Sequence, residues 1–303
     1  MLDLDFGCTR CGRCCTGLRL PLTLGEALGW LGDGHEVELL CEALPWPAEP
    51  ARDDEPAAHR RRRSFAAHSG RLPLRVIVVL AAAFSGRCPN LGADDRCAVY
   101  ARRPLVCRIY PAEIHPFLTL VPAHKGCPPQ AWDPGQPALL RAGRIVEAET
   151  HAAIEASREA DRREAGLKQR LCAELGVDCA AIGGEGFVAH RPPRPALRTA
   201  LQAALQSAAP TAARTATQAA LQPAGEADTA AAGASDWRLV SRSRRTLDEL
   251  GAAGARIGPA DALANGAYLD LGAVDAEPGG DPERSGGVAA DLRAAAAAPA
   301  PPR

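Results

Sequence analysis

Four thiols within eight residues are the first feature of this chain that could do chemistry. Cys8, Cys11, Cys14 and Cys15 form the pattern C-x2-C-x2-C-C. A buried cysteine packs as a small hydrophobic side chain and gains nothing from being clustered with others. Thiolates, in contrast, select zinc and iron-sulfur clusters over hard ions. The spacing therefore indicates a metal site.

A second group of cysteines follows further along the chain and consists of Cys88, Cys97, Cys107 and Cys127. The two groups together supply eight thiols, the number that two tetrahedral four-cysteine sites require. Cys14 and Cys15 are adjacent, and consecutive side chains diverge. We therefore expect these two residues to serve different metal ions, or one of them to bridge a binuclear or clustered site.

The spacing leaves the kind of metal open. A C-x2-C-x2-C run also begins a bacterial ferredoxin motif, but here the fourth cysteine follows at once and no proline comes after it. Zinc, mononuclear iron and a 4Fe-4S cluster all remain alternatives. His115 and His124 lie between Cys107 and Cys127 and are candidate substitute ligands, although eight thiols are already present.

Three further cysteines, Cys41, Cys172 and Cys179, lie outside these two groups. Cys41 and Cys172 stand in apolar, helix-like contexts, so we expect them to be core residues. The sequence shows no Ser/His/Asp arrangement and no radical-type C-x3-C-x2-C motif. We therefore assign no catalytic residue, and whether the protein is an enzyme stays open.

The composition indicates in which cellular compartment the protein resides and which classes of partner it binds. A net charge of -1 gives no basic excess of the kind that nucleic-acid-binding proteins carry. The N-terminus lacks the basic and apolar regions of a signal peptide, and the longest apolar run, residues 76–84, is too short to span a bilayer. We expect a cytoplasmic protein without membrane or nucleic-acid partners, in which thiols stay reduced.

Several elements can be predicted around the first cysteine group. Glycines between the thiols of residues 6–21 indicate an irregular loop that wraps a metal. Thr23 and Glu26 fit a capping box, so a short helix should run to about Leu31. Residues 35–44 are predicted to form a second short helix.

The middle of the chain contains one clear strand signal. Residues 45–69, which include the run Arg60 to Arg63, are rich in Pro, Ala, Asp and Arg and indicate a solvated loop. Residues 72–84 contain a β-branched run typical of a strand. Residues 137–175 are predicted to form a long polar helix that ends at Gly176. Beyond Arg191 the Ala-rich, aromatic-poor tail is predicted to be disordered, with transient helix at residues 199–209.

The cysteine pattern resembles that of the YkgJ-type cysteine-cluster family, described as a zinc- or iron-chelating domain. Residues 97–111 match its long signature C-x-I-Y-x-x-R-P-x-x-C-R-x-Y-P, with Val99 in place of isoleucine. The resemblance covers about residues 6 to 130 and implies metal or iron-sulfur binding by all eight thiols. Some relatives carry names such as Fe-S oxidoreductase or flagellin lysine N-methylase. The insertion at 45–69 and the C-terminal tail depart from the family pattern.

We therefore predict an α+β chain in which a small, irregular, metal-stapled cysteine-cluster domain occupies residues 1–132. A helical extension (133–180) and a disordered Ala-rich tail (191–303) follow. With little continuous apolar core, metal binding should supply much of the folding free energy. Three functions are compatible with this: a zinc- or iron-binding protein, an iron-sulfur oxidoreductase or protein-modifying enzyme, and a zinc-stapled module that holds an unidentified protein partner.

Overall fold

The computed structural model describes residues 2–208, 235–263 and 266–270, which form twelve strands and six α-helices. The strands are β1 (Leu4–Asp5), β2 (Arg19–Leu22), β3 (Val37–Pro45), β4 (Ser64–Ser69), β5 (Leu72–Ala83), β6 (Ala138–Arg141), β7 (Arg144–Ile145), β8 (Cys179–Ile182), β9 (Gly186–His190), β10 (Arg238–Ser241), β11 (Ile257–Pro259) and β12 (Ala267–Asp270). The helices are α1 (Leu24–Gly32), α2 (Glu55–Arg62), α3 (Leu105–Ile109), α4 (Ala148–Leu175), α5 (Arg194–Ala208) and α6 (Arg244–Ala252). This mixture of helices and sheets confirms the α+β class.

Nine of the strands form one mixed sheet centred on β3 and β5. These two strands pair antiparallel along the whole of β3, from Val37 opposite Ala82 to Pro45 opposite Leu74. The outer edge of β5 carries β2 and β4, and the other edge of β3 carries β8 and β9. Parallel strands β10 and β11 extend the sheet beyond β8, and β12 pairs with β9. Strands β1, β6 and β7 form a separate small antiparallel sheet.

The predicted helix at residues 35–44 is wrong, because this segment forms the central strand β3. Its side chains are buried on both faces of the sheet. Leu39 and Cys41 point into the core under the helices, whereas Leu40 and Leu44 join a second cluster on the opposite face. A strand buried on both faces shows no alternation of apolar and polar residues, so its sequence pattern resembles that of a buried helix.

The apolar core is larger than the sequence indicates. One face of the sheet is covered by α1, α4 and α5, and the resulting core contains fully buried side chains such as Leu24, Leu171, Leu201 and Trp237. Cys41 and Cys172 are both buried in this core, as predicted. The expectation of little continuous apolar core is therefore wrong, and the sheet has a hydrophobic driving force of its own.

Two further regions differ from the sequence-based predictions. The segment 45–69 is not a solvated loop throughout, since it forms α2 and β4, and the arginine run belongs to α2 and its C-cap. Within that run Arg63 forms an ion pair with Asp161 of α4. The long helix starts at Ala148, because residues 138–145 form the hairpin of β6 and β7.

The C-terminal part is also more ordered than predicted where the structure describes it. Helix α5 packs Leu197 and Leu201 into the main core, and β10 to β12 complete the sheet. The prediction of disorder is therefore wrong for residues 194–208, 235–263 and 266–270. Residues 209–234, 264–265 and 271–303 of the predicted tail lie outside the described residues. Along the part of the chain with assigned structure, none of the helices combines the length and the apolar character that crossing a membrane requires.

Candidate metal centre

The two cysteine groups meet where the pairing of β2 with β5 ends. Beyond the ladder, Thr16 and Arg87 form one further antiparallel bridge. The amide of Cys88 then donates to the carbonyl oxygen of Cys15 at 2.8 Å. The strand pairing thus places the first cysteine of the second group directly beside the last cysteine of the first group.

A glycine of the first loop allows this loop to approach the second. Gly12 has a φ of +70°, in the left-handed region that favours glycine. A Cβ atom at Gly12 would lie 2.9 Å from the backbone oxygen of Asp95, in the turn between Cys88 and Cys97. Any other residue at position 12 would therefore push the two cysteine-bearing loops apart.

The remaining cysteines of the second group are held by short elements. Leu91 and Cys97 form an antiparallel bridge that closes a turn after Cys88. Cys107 lies in α3, and Cys127 follows the 3-10 helix Pro122–His124. Because long regular elements are lacking here, the local positions of these thiols depend on turns and on side-chain contacts.

All eight thiols line a single cavity of about 100 Å³. Apolar side chains, among them Phe6, Leu18, Trp30 and Phe84, complete its wall. Neither His115 nor His124 lines this cavity, so the structure does not support either histidine as a substitute ligand. Among the described residues, no three Cys, His, Asp or Glu side chains converge closely enough to hold a metal ion as they stand. The sulfur atoms of Cys14 and Cys15 are 3.9 Å apart.

The thiols fall into two neighbourhoods, which are groups of thiols that affect the pKa of the same side chain. Burial raises the pKa of Cys107, and the nearby Cys15, Cys88 and Cys97 raise it further. Burial also raises the pKa of Cys88, again with contributions from Cys15 and Cys97. Such contributions fall with distance. These four thiols are therefore close neighbours.

The second neighbourhood surrounds Cys127. Burial raises the pKa of this thiol to about 11, and Cys8 and Cys11 raise it while a hydrogen bond from Tyr110 lowers it. Cys14 belongs here as well, since the pKa of the Tyr110 hydroxyl is raised by burial and then by both Cys127 and Cys14. Cys14 also touches the first neighbourhood, because its contact with Cys15 is the main cause that raises the pKa of Cys15.

Two arginines and a tyrosine join the loops that carry the thiols. The guanidinium groups of Arg10 and Arg103 lie 4.1 Å and 3.7 Å from the centre of the Tyr100 ring. Arg103 also donates to the carbonyl oxygen of Tyr100 at 3.0 Å. Its positive charge lowers the pKa of both Cys15 and Cys107 against the effect of burial. Arg103 thus favours thiolates and fixes the loop geometry.

A buried ion pair near Cys127 was missed by the sequence analysis. Lys125 and Glu113 contact each other at 2.6 Å, and their side chains are only 1% and 8% exposed. Lys125 lowers the pKa of Cys127, and the Tyr110 hydroxyl accepts a hydrogen bond from the Gly126 amide at 2.8 Å. Lys125 is one of only two lysines in the chain. That rarity was the only sequence signal for it, and it does not indicate a role.

Glu26 connects the first helix to the element that carries Cys107. Its carboxylate accepts from the Thr23 amide at 2.9 Å, which completes the predicted capping box, and from the Leu105 amide at 2.7 Å. This second bond satisfies an amide at the start of α3, where no intrahelical acceptor exists. Glu26 therefore fixes α3, and with it Cys107, against the sheet.

We expect Glu26→Ala to lower the free energy of unfolding by about 1–3 kcal/mol, because one side chain satisfies two backbone amides. Urea denaturation of the full chain would measure the change. Glu36→Ala is the matched control, since Glu36 is exposed. An equal loss for both variants would contradict the role assigned to Glu26.

The donor set fits a thiophilic metal by its chemistry. Eight thiols and few competing oxygen or nitrogen donors surround the cavity, and thiolates suit zinc and iron. Residues 7–128 match the model of a family described as "CxxCxxCC: Putative zinc- or iron-chelating domain". The family resemblance inferred from the cysteine spacing is thereby confirmed. No curated protein and no solved structure shows significant similarity to the chain.

Proposed function

Since residues 7–128 match the model of the CxxCxxCC domain, we propose that this chain is a metal-binding protein that holds zinc or iron through eight thiols. The ligands are Cys8, Cys11, Cys14, Cys15, Cys88, Cys97, Cys107 and Cys127. The observation that carries the proposal is that these eight residues, distant in sequence, all line one cavity. The three other cysteines, including the buried pair Cys41 and Cys172, do not line it.

The thiols divide into two sets of four, each of which holds one metal ion. The first set is Cys15, Cys88, Cys97 and Cys107, and the second is Cys8, Cys11, Cys14 and Cys127. The two electrostatic neighbourhoods support this division. It also gives the adjacent Cys14 and Cys15 to different ions, which avoids the strain of placing consecutive side chains on one ion.

Binding draws the sulfur atoms of each set together. The exposed Cys8 and Cys11 lie on the glycine-containing first loop, which can close on the more buried Cys127. Protonated thiols must lose their protons on ligation, so metal binding releases protons and weakens at low pH. A bound ion supplies thiolate bonds that lock the two loops to each other.

Anaerobically purified protein should contain about two metal atoms per chain, as two four-thiolate sites require. Cys107→Ser should lower the content to about one, because it removes a ligand from the first set only. The control is Cys172→Ser, which changes a buried thiol outside both sets. Elemental analysis of the three proteins measures the stoichiometry. The proposal fails if the wild-type protein holds neither zinc nor iron, or if Cys107→Ser keeps the full content.

A visible spectrum of the same sample distinguishes single ions from a cluster. Iron with acid-labile sulfide and a band near roughly 400 nm, as thiolate-ligated clusters commonly show, would replace the two separate ions by an iron-sulfur centre. That result would make electron-transfer chemistry the leading function. Stoichiometric zinc without colour would instead favour chelation or a structural role.

A further inference from the structure

A second cavity, of about 370 Å³, opens at the outer edge of β5. Along this edge the pairing with β2 reaches Leu80 and the pairing with β4 starts at Ile77. Val78 and Val79 therefore have no strand partner on this side within the described part of the chain. Side chains of α4 and of Val79 line the cavity. Its volume lies in the range of small-molecule sites.

Two uncharged histidines belong to the wall of this cavity. The rings of His59 and His115 lie 4.8 Å apart in an edge-to-face arrangement. Burial, with a contribution from Arg63, lowers the pKa of His59 to about 3 and that of His115 to about 4. The Nε2 atom of His59 is buried and has no hydrogen-bond partner among the described residues. A buried polar atom of this kind is a place where a ligand can bind.

The acidic side chains of the cavity are already engaged by donors of the chain. Glu164 accepts from the amide of Leu24 at 3.1 Å. Asp161 accepts from Arg63 Nε at 3.1 Å and contacts Lys168 Nζ at 3.5 Å. Glu26 accepts from the amides of Thr23 and Leu105, and Glu155 accepts from Arg158 Nη1 at 3.0 Å. These carboxylates therefore attract no further cation strongly, although they line the cavity.

Donors, in contrast, remain available. Arg62 is exposed at the cavity and forms no ion pair within the described residues. Lys168 is buried, and within the described residues its ammonium forms one ion pair, with Asp161 at 3.5 Å, although an ammonium has three N–H donors. Apolar side chains, such as those of Leu22 and Val106, form another part of the cavity wall. The cavity thus combines an apolar wall with two cations, Arg62 and Lys168, that still have N–H donors to offer.

We propose that this cavity binds a small organic anion in which a carboxylate is attached to an apolar body. The carboxylate is bound by Arg62, Lys168 and His59, and the apolar body packs on the wall formed around Val79 and Val106. This site is distinct from the thiol cavity, because no cysteine lines it. Val106 of α3 lines both cavities, so the bound anion lies beside the helix that carries Cys107.

The test uses the full chain as purified, with its histidines isotope-labelled, and benzoate as the probe. Imidazole NMR signals of His59 and His115 should shift saturably with benzoate, whereas the signal of the exposed His151 should not. Benzamide has the same shape without the charge, and inorganic phosphate has charge without an apolar body. Both should bind at least about fivefold more weakly than benzoate. Absence of saturable shifts, or equal binding of either control compound, would overturn the proposal.

A matched pair of variants tests which arginine binds the carboxylate of benzoate. Arg62→Gln should weaken benzoate binding about threefold to fivefold, as expected for a partly exposed charge pair. Arg61→Gln removes the same charge from the neighbouring position of α2, but Arg61 does not line the cavity. It should leave the affinity unchanged. An equal effect of the two variants would show non-specific attraction and contradict the site. Metal content is measured in parallel and should not change, so this test and that of the metal centre fail independently.

Discussion

Removing the metal with a chelator should accelerate amide hydrogen exchange in the two cysteine-bearing segments, residues 6–18 and 85–128, by about 100-fold or more. Strands β3 and β5 should keep their protection. The segments contain only short helices and isolated bridges, so we expect their order to depend on the proposed metal–thiolate bonds. Structural zinc sites supply on the order of 10 kcal/mol, more than enough for this effect. The central strands are instead held by apolar clusters on both faces.

Hydrogen exchange with mass spectrometry resolves these segments in one experiment. Exchange in a peptide from β3 is the internal control, and restoring zinc or iron should restore protection in the cysteine segments. Unchanged exchange in those segments would show that their order needs no metal. Loss of protection in β3 as well would mean that the whole domain is metal-dependent, as the sequence alone suggested.

Local signals made part of the fold predictable. The capping box at Thr23 and Glu26, the β-branched run of β5, and Gly176 at the end of α4 each act through neighbouring residues. Gly176 adopts a φ of +65°, a conformation that terminates a helix. Such signals are visible in a sequence because the residues that cause the structure are adjacent in it.

The other elements depend on contacts between distant residues. Helix α5 is rich in alanine and has no cap in its sequence, yet Ala200 and Ala204 are buried because small side chains allow α5 to pack closely on its neighbours. The sequence predicted disorder for this segment, with only transient helix at residues 199–209. The strands after Trp237 were missed for the same reason, since they are stabilised by addition to an existing sheet.

The candidate metal site also has features that the sequence predicts and features that it does not. Its cysteines could be identified from spacing, because chelation constrains which residues occur and at what intervals. Their grouping could not, since it follows from the bridge between Thr16 and Arg87 and from α3. The cavity at the edge of β5 had no sequence signal, because its lining comes from six separated segments between Pro21 and Lys168.

Glu42→Gln should stabilise the protein at alkaline pH by roughly 3–5 kcal/mol. Glu42 lies in the central strand with its side chain fully buried, and neither carboxylate oxygen has a hydrogen bond of good geometry. Burial raises its pKa from 4.5 to about 8, although Arg63, Arg60 and the nearby Gly184 amide oppose this shift. Glutamine resembles the protonated acid, so the variant avoids the cost of a buried negative charge.

The sign of the pH dependence follows from the raised pKa. Between pH 4.5 and about 8 the folded state holds a proton that the unfolded state has lost. The stability of the wild-type protein contributed by this group is therefore complete below pH 4.5 and falls as the pH rises through about 8. The variant lacks this dependence. Its advantage should grow by about 2 kcal/mol or more between pH 6 and pH 8.5.

Urea denaturation of the metal-loaded wild type and variant at each pH measures this difference. Thiol titration affects both proteins equally and cancels in the comparison, which isolates the carboxylate. Glu36→Gln, in which an exposed acid beside the same strand is changed, should give a difference independent of pH. A constant difference for Glu42→Gln would mean that the carboxylate is ionised in the folded protein at both pH values. The charge would then have to be offset by Arg60 and Arg63, which would give the arginine run a structural role in holding α2 to the sheet.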